Sequence, residues 1–290
     1  MNKKAKCLCQ SDADFYFNVR GFNIFKCLNC TLVFVWPRVI DLEIYNQEYF
    51  SGATHGFGFV NYEYDKSASI GYLKMYLRWL EHLNIPRASK LLDVGAANGF
   101  FVNLATEHGF LATGIELSAE AVEWAKKLGR KVTQANAMSI PTNDRFDVVT
   151  VLDVLEHMSE PTEFLIKIKK NLNTNGLLLI NVPNVGSLFA RLSGKSWHSY
   201  VPPEHLFYFN RKSLSKLLES NGYEIIKMRS IAKTFKFSYI YNTMINSPQV
   251  STKFIKVLNI FKPIMRTKLG EAKIFLPLFD NLTVIAKVVK

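Results

Sequence analysis

Three groups of residues in this 290-residue chain have the types and spacing that chemistry needs. The first is Asp93-Val94-Gly95-Ala96-Ala97-Asn98-Gly99, with Glu116 further on. Gly95 and Gly99 lack a Cβ, so the backbone can turn sharply there and approach a ligand closely. A carboxylate about twenty residues past such a turn can accept hydrogen bonds from both hydroxyls of a ribose. The second group is Cys7, Cys9, Cys27 and Cys30, which are all the cysteines of the chain. In a reducing compartment such clustering favours a tetrahedral metal site over disulfides, and zinc is the metal expected. Cys27 and Cys30 have knuckle spacing, whereas Cys7 and Cys9 stand one residue closer than usual, so four reduced thiols remain the other reading. The third group is His157, in Asp153-Val154-Leu155-Glu156-His157, and His205, in Pro202-Pro203-Glu204-His205. An imidazole changes charge near neutral pH and suits acid–base work. The competing reading of each is a hydrogen-bonded structural histidine.

Alternating strand and helix patterns surround these residues. Residues 91–94 form an apolar run that ends at the turn, as a buried parallel strand does. A helix is predicted over 100–108 and a strand over 111–115. Ser118 is an N-cap for a helix over 119–128 that Gly129 stops. Strands are predicted over 131–134, 146–152 and 177–182, with Asn175-Gly176 as the turn before the last of these. A helix over 213–220 and strands over 223–228 and 282–289 complete the alternation. This pattern implies an α/β fold: a Rossmann-like, seven-stranded, mostly parallel sheet with helices on both faces. Ligands of such sheets bind beyond the carboxyl ends of the strands. Residues 1–38 read as a small β-rich, zinc-ribbon-like module, too short to bury its own core without a metal. Residues 39–88 read as an aromatic-rich connector with an amphipathic helix over 68–83, and residues 89–290 as the main domain. A basic insertion is expected over 231–281, with Phe254, Val257, Leu258, Phe261 and Met265 on one helical face until Pro263 kinks or ends it.

The turn and its spaced acid resemble the first motif and following acidic loop of class I S-adenosylmethionine (SAM) dependent methyltransferases, with Ala97 where that family often has glycine. Leu155-Glu156-His157, Pro183-Asn184 and Pro203-Glu204-His205-Leu206-Phe207-Tyr208-Phe209 resemble one branch of it. That branch includes ubiquinone-pathway O-methyltransferases and enzymes that act on sugars in polysaccharide and antibiotic biosynthesis. The resemblance implies that Asp93, Gly95, Ala97 and Gly99 hold the methionine part of SAM. It places Glu116 and Leu117 at the ribose, and Asn136 and Ala137 at the adenine. Asp153 would touch the cofactor amine or the acceptor. An alcohol acceptor needs a base, for which His205 is preferred, with His157 orienting it or sharing the role. The expected acceptor is a small or lipid-linked molecule, such as a sugar of a surface polysaccharide.

Charge sharpens the alternatives. The formal net charge is +12, and residues 211–290 hold 15 Lys and Arg against four Asp and Glu. Such a region either meets something anionic, the acceptor or an anionic membrane surface, or is a helical cap whose apolar face packs on the sheet while its lysines face water. It also keeps open an RNA methyltransferase that grips phosphates with the cysteine module and the basic tail. The third alternative is a SAM-binding scaffold without turnover. No apolar run approaches the roughly 20 residues needed to span a bilayer, and residues 1–6 are basic without a following apolar core. A cytoplasmic location is therefore expected, with peripheral contact at the inner membrane face as its variant.

Overall fold

The computed structural model describes residues 5–38, 70–141, 143–238, 241, 245, 252–267, 269–270 and 272–289. The aromatic residues expected in the connector between positions 45 and 64 lie outside the described residues, as does Phe254's side chain. Four antiparallel strands open the chain: β1 (Ala5–Lys6), β2 (Asp12–Val19), β3 (Phe22–Cys27) and β4 (Val33–Val35). Helix α1 (Ile70–His82) follows, burying Leu73, Tyr76, Leu77 and Leu80 along one stripe as its 3.6-residue periodicity requires.

The main sheet then builds by alternation. Strand β5 (Lys90–Val94) precedes α2 (Phe100–Glu107), β6 (Leu111–Glu116), α3 (Ala119–Lys127), β7 (Val132–Gln134) and β8 (Phe146–Leu152). Helix α4 (Pro161–Asn171) begins with a proline, which has no N–H to leave unsatisfied in a first turn. Strand β9 (Leu172–Pro183), α5 (Leu188–Ser193), the short β10 (Phe207–Tyr208), α6 (Arg211–Ser220), β11 (Tyr223–Lys236), α7 (Thr252–Asn259) and β12 (Lys273–Val288) complete the described elements. Seven strands form one sheet in the order β11-β12-β9-β8-β5-β6-β7. Strands β9, β8, β5, β6 and β7 are mutually parallel, and β12 runs antiparallel to both of its neighbours. The expected α/β architecture is therefore present, with the carboxyl ends of β5, β6, β8 and β9 along one edge. Among the described residues no helix is long and apolar enough to cross a membrane.

Three local expectations are corrected. Strand β9 starts at Leu172, which pairs with Phe146 as soon as α4 ends, and Asn175-Gly176 lies inside the strand. The ladder shifts between Phe146 and Val148, and Asn175 absorbs the extra length at φ +70°, a conformation asparagine tolerates. Strands β11 and β12 are much longer than predicted, pairing from Tyr223↔Val288 to Lys236↔Lys273, so both ends of the basic insertion are a continued hairpin. Helix α7 stops at Asn259, and Phe261 and Met265 belong to the turns around Pro263, which cannot sit in a helix interior. Val257 and Phe261 are exposed, so these two side chains are not packed on the sheet.

The N-terminal strands do not form an isolated unit. Strand β10 pairs antiparallel with β4, Phe207 opposite Phe34 and Tyr208 opposite Val33, and so becomes the fifth strand of the N-terminal sheet. A single apolar core runs from Ile24, Phe25 and Phe34 through Phe207 and Phe209 to Ile180, Val182 and Val284. Phe34 is buried between Phe25 and Phe207, with ring centroids 6.3 and 6.4 Å away. Phe34→Ala is expected to cost about 3–5 kcal/mol. It should lower the denaturant midpoint of the whole chain in one transition, measured by circular dichroism. An unchanged midpoint would contradict the shared core.

Candidate active site

The turn after β5 has an unusual backbone. Gly95, Ala97 and Gly99 take φ of +72°, +47° and +73°. Glycine enters that region without strain, whereas Ala97 does so at a cost. Position 95 also has no room for a side chain: a Cβ there would lie 2.5 Å from Val154 Cγ2. Glu116 clamps the turn from the end of β6. Its Oε2 accepts from the Ala97 N–H at 2.9 Å, and its Oε1 accepts from Leu117 and Ser118 N–H groups at 2.7 and 3.0 Å. A carboxylate has about four acceptor positions, so Glu116 keeps capacity for a ligand hydroxyl. Asp93 is buried and accepts from Thr150 Oγ1 at 2.6 Å, which ties the start of the turn to β8. Asn136 caps the short turn that Ala137 opens, its Oδ1 accepting from Met138 N–H at 2.8 Å. Part of its acceptor capacity is thus spent locally.

The two histidines meet although α4, β9 and α5 separate them in the chain. Their ring centroids stand 4.7 Å apart, edge to face. His157 Nδ1 lies 2.8 Å from the Glu204 carbonyl and His205 Nδ1 lies 2.9 Å from the Ser199 carbonyl. A carbonyl only accepts, so each Nδ1 carries a proton, and in a neutral ring Nε2 is the acceptor. Burial, reinforced by His157, holds His205 well below the usual 6.5, so its ring is neutral at physiological pH. One oxygen of the buried Glu156 and one nitrogen of each ring lie within 4.8 Å of one another. An aromatic floor supports this loop: Tyr200 stacks edge to face on Trp197 and Tyr208, and Phe17 of β2 packs on Tyr200. Tyr208 Oη donates to the His205 carbonyl at 3.0 Å.

Asp153 follows β8 at φ +57°, and Asn181 Nδ2 donates to its Oδ1 at 2.5 Å. Sequence reasoning missed Asn181, which reads as one more position of an apolar strand. His198, whose sequence context offers no comparable role, has its Nε2 3.3 Å from Asp280 Oδ2. The cysteines come together as expected. Cys7 and Cys30 sulfurs lie 3.5 Å apart, Cys9 and Cys27 sulfurs 3.6 Å apart, and all four within 4.8 Å of one another. Tetrahedral thiolates at about 2.3 Å from zinc stand roughly 3.8 Å from each other, so the cluster could hold that ion. The N–H groups of Asn29 and Cys30 point at Cys27 Sγ from 3.4 Å, but burial outweighs them and holds the Cys27 thiol above its ordinary range. Cys30 is lowered to about 5, chiefly because the Cys7 thiol donates to it, while Cys7 is raised in turn.

A glycine turn at the carboxyl edge of this sheet, with an acid at the end of the next strand, is the arrangement of a nucleotide-binding α/β site. The chain belongs to the methyltransferase domain family, whose model matches residues 71–228. Ubiquinone biosynthesis O-methyltransferase of Coxiella burnetii is 23% identical over 173 residues, 53% of this chain and 72% of that protein. The mitochondrial enzyme of the same name from Candida albicans is 34% identical over 105 residues, 32% of each chain. The crystal structure of magnesium protoporphyrin IX methyltransferase from Synechocystis PCC 6803, with bound SAH, matches 86% of this chain and all of that one. Its TM-score is 0.54 at 14% identity. A SAM-dependent methyltransferase from Archaeoglobus fulgidus matches 74% of this chain and 94% of its own at TM-score 0.50 and 19% identity. The chain is a SAM-dependent methyltransferase by family and fold.

Gly95→Ala tests the turn. The added methyl meets Val154 and carries a left-handed φ, so SAM affinity measured by calorimetry should fall by about tenfold or more. Unchanged affinity would place the cofactor elsewhere.

Proposed function

We propose that the chain transfers the methyl group of SAM to a hydroxyl of a small-molecule acceptor, with its four cysteines holding a structural zinc. The observation that carries the acceptor chemistry is the His157–His205 pair, with both Nδ1 atoms committed to carbonyls. SAM supplies a methyl group on a sulfonium, which an in-line nucleophile takes. The chain's own residues do the rest. Asp93, Gly95, Ala97 and Gly99 take the amino-acid end, Glu116 and Leu117 the ribose, and Asn136 and Ala137 the adenine. His205 Nε2 accepts the acceptor's hydroxyl proton, and His157 shares or orients that step. Neighbours named for ubiquinone biosynthesis favour a hydroxylated small molecule and lend no support to a sugar.

The test is methyl transfer to a panel of catechols, phenols and sugars by the wild type and by His205→Ala. Transfer to a hydroxyl compound, lost at least a hundredfold in the variant while SAM still binds, supports the reading. Transfer only to nitrogen or RNA would overturn it. The three donors Glu156, His157 and His205 could also take a divalent cation, so the assay is run with and without EDTA. Loss of rate on chelation that Mg²⁺ restores would assign the proton step to a bound cation.

The pH dependence has a definite sign. The active form of His205 is neutral, and burial extends that form to pH values below 6.5. The kcat/KM of a hydroxyl acceptor should therefore stay level from pH 8 down through 6.5 and fall only at lower pH. A midpoint at 6.5 or above would exclude His205 as the base.

A further inference from the structure

Strand β9 alternates apolar side chains between two cores. Leu177 and Leu179 face the core under α1, while Leu178, Ile180 and Val182 face the other. Asn181 continues the first series, at the carboxyl end of the strand, and is almost fully buried. An amide at such a position is costly unless it is fully bonded. Here it is. Its Oδ1 accepts from Tyr76 Oη of α1 at 3.0 Å and from Thr283 Oγ1 of β12 at 2.8 Å. Its Nδ2 donates to Asp153 Oδ1 at 2.5 Å and to Asn281 Oδ1 at 3.2 Å. The carboxylate can only accept, so it fixes which way the amide faces.

The main chain doubles this link, because the Asp153 N–H donates to the Asn181 carbonyl at 2.9 Å. Asp153 itself sits in the left-handed region, a conformation that its surroundings must hold. The next residue, Val154, fills the space above Gly95. The corner Asp153–Val154 therefore lies against the cofactor turn, with its carboxylate aimed by a residue of the neighbouring strand.

We propose that Asn181 is a positioning residue that aims the Asp153 carboxylate at the ammonium of the cofactor's amino-acid end, and that Tyr76 and Thr283 hold Asn181 in the orientation this needs. The inference rests on the SAM reading above. It gives a reason for a polar cluster between the carboxyl ends of β8 and β9 and the middle of β12. It also makes α1 part of the cofactor site at one remove.

The experiment compares SAM with methylthioadenosine, which keeps the nucleoside and sulfur but lacks the amino-acid arm. Calorimetric affinities are measured for the wild type, Asn181→Leu, Asp153→Asn, the double variant and Tyr76→Phe, each with its melting temperature. Asn181→Leu should weaken SAM by about tenfold or more and leave methylthioadenosine within about twofold. Asp153→Asn should show the same selectivity, and the double variant should be no weaker than Asp153→Asn alone. Should Asn181→Leu fail to fold, Tyr76→Phe removes one hydrogen bond to Asn181 and should weaken SAM by about two- to fivefold with methylthioadenosine unaffected. Equal weakening of both ligands, additive losses in the double variant, or full SAM affinity in the folded variants would overturn the proposal. A folded wild type that binds neither ligand would instead sink the SAM reading on which it rests.

Discussion

The antiparallel pairing of Val33–Val35 with Phe207–Tyr208 is the contact on which the loop that carries His205 depends. Strand β10 is two residues long, and a strand so short has little stability without partners. Val35 N–H donates to the Leu206 carbonyl at 2.9 Å, and Leu206 N–H donates to the Glu156 carbonyl at 2.9 Å. The segment that carries His205 is thus threaded between the cysteine module and the turn that carries His157. Asn210, just beyond it, caps α6 and also donates to the Thr31 carbonyl at 3.0 Å, one residue past Cys30. Arg38 adds a contact over the Phe207 ring. The N-terminal module is in this sense the outer support of the histidine loop.

The glycine turn after β5 depends on a different device. There the backbone is forced into left-handed turns and tied down by carboxylates: Glu116 to the N–H of Ala97, Asp93 to Thr150, Asp153 to Asn181. Each carboxylate lies at or just past the end of a parallel strand, where the main-chain ladder stops. Glu116 satisfies backbone N–H groups there, whereas Asp93 and Asp153 accept from the side chains of Thr150 and Asn181.

How much of this was legible in the sequence follows from the range of each signal. The run from Leu91 to Gly99 and the acid at Glu116 are local patterns, and they placed β5, the turn and β6 correctly. Cysteine spacing likewise anticipated a cluster that the folded chain assembles. The extent of β11 and β12 was not legible, because their outer halves are defined by pairing with each other across the basic insertion. The meeting of His157 with His205, and of Asn181 with Asp153, Tyr76 and Thr283, is set by strand order and by which face of a strand a residue occupies. Asn181 was invisible for a further reason. A single polar residue in an apolar strand has no local signature, and its meaning appears only when four partners converge on it.

The most direct test of the account is calorimetric titration of SAM into the purified chain and into Glu116→Ala. Saturable binding of one SAM per chain is expected, with a loss of about tenfold or more in the folded variant. A folded wild type that binds no SAM, or a variant that binds it equally well, would contradict the placement of the cofactor on this turn.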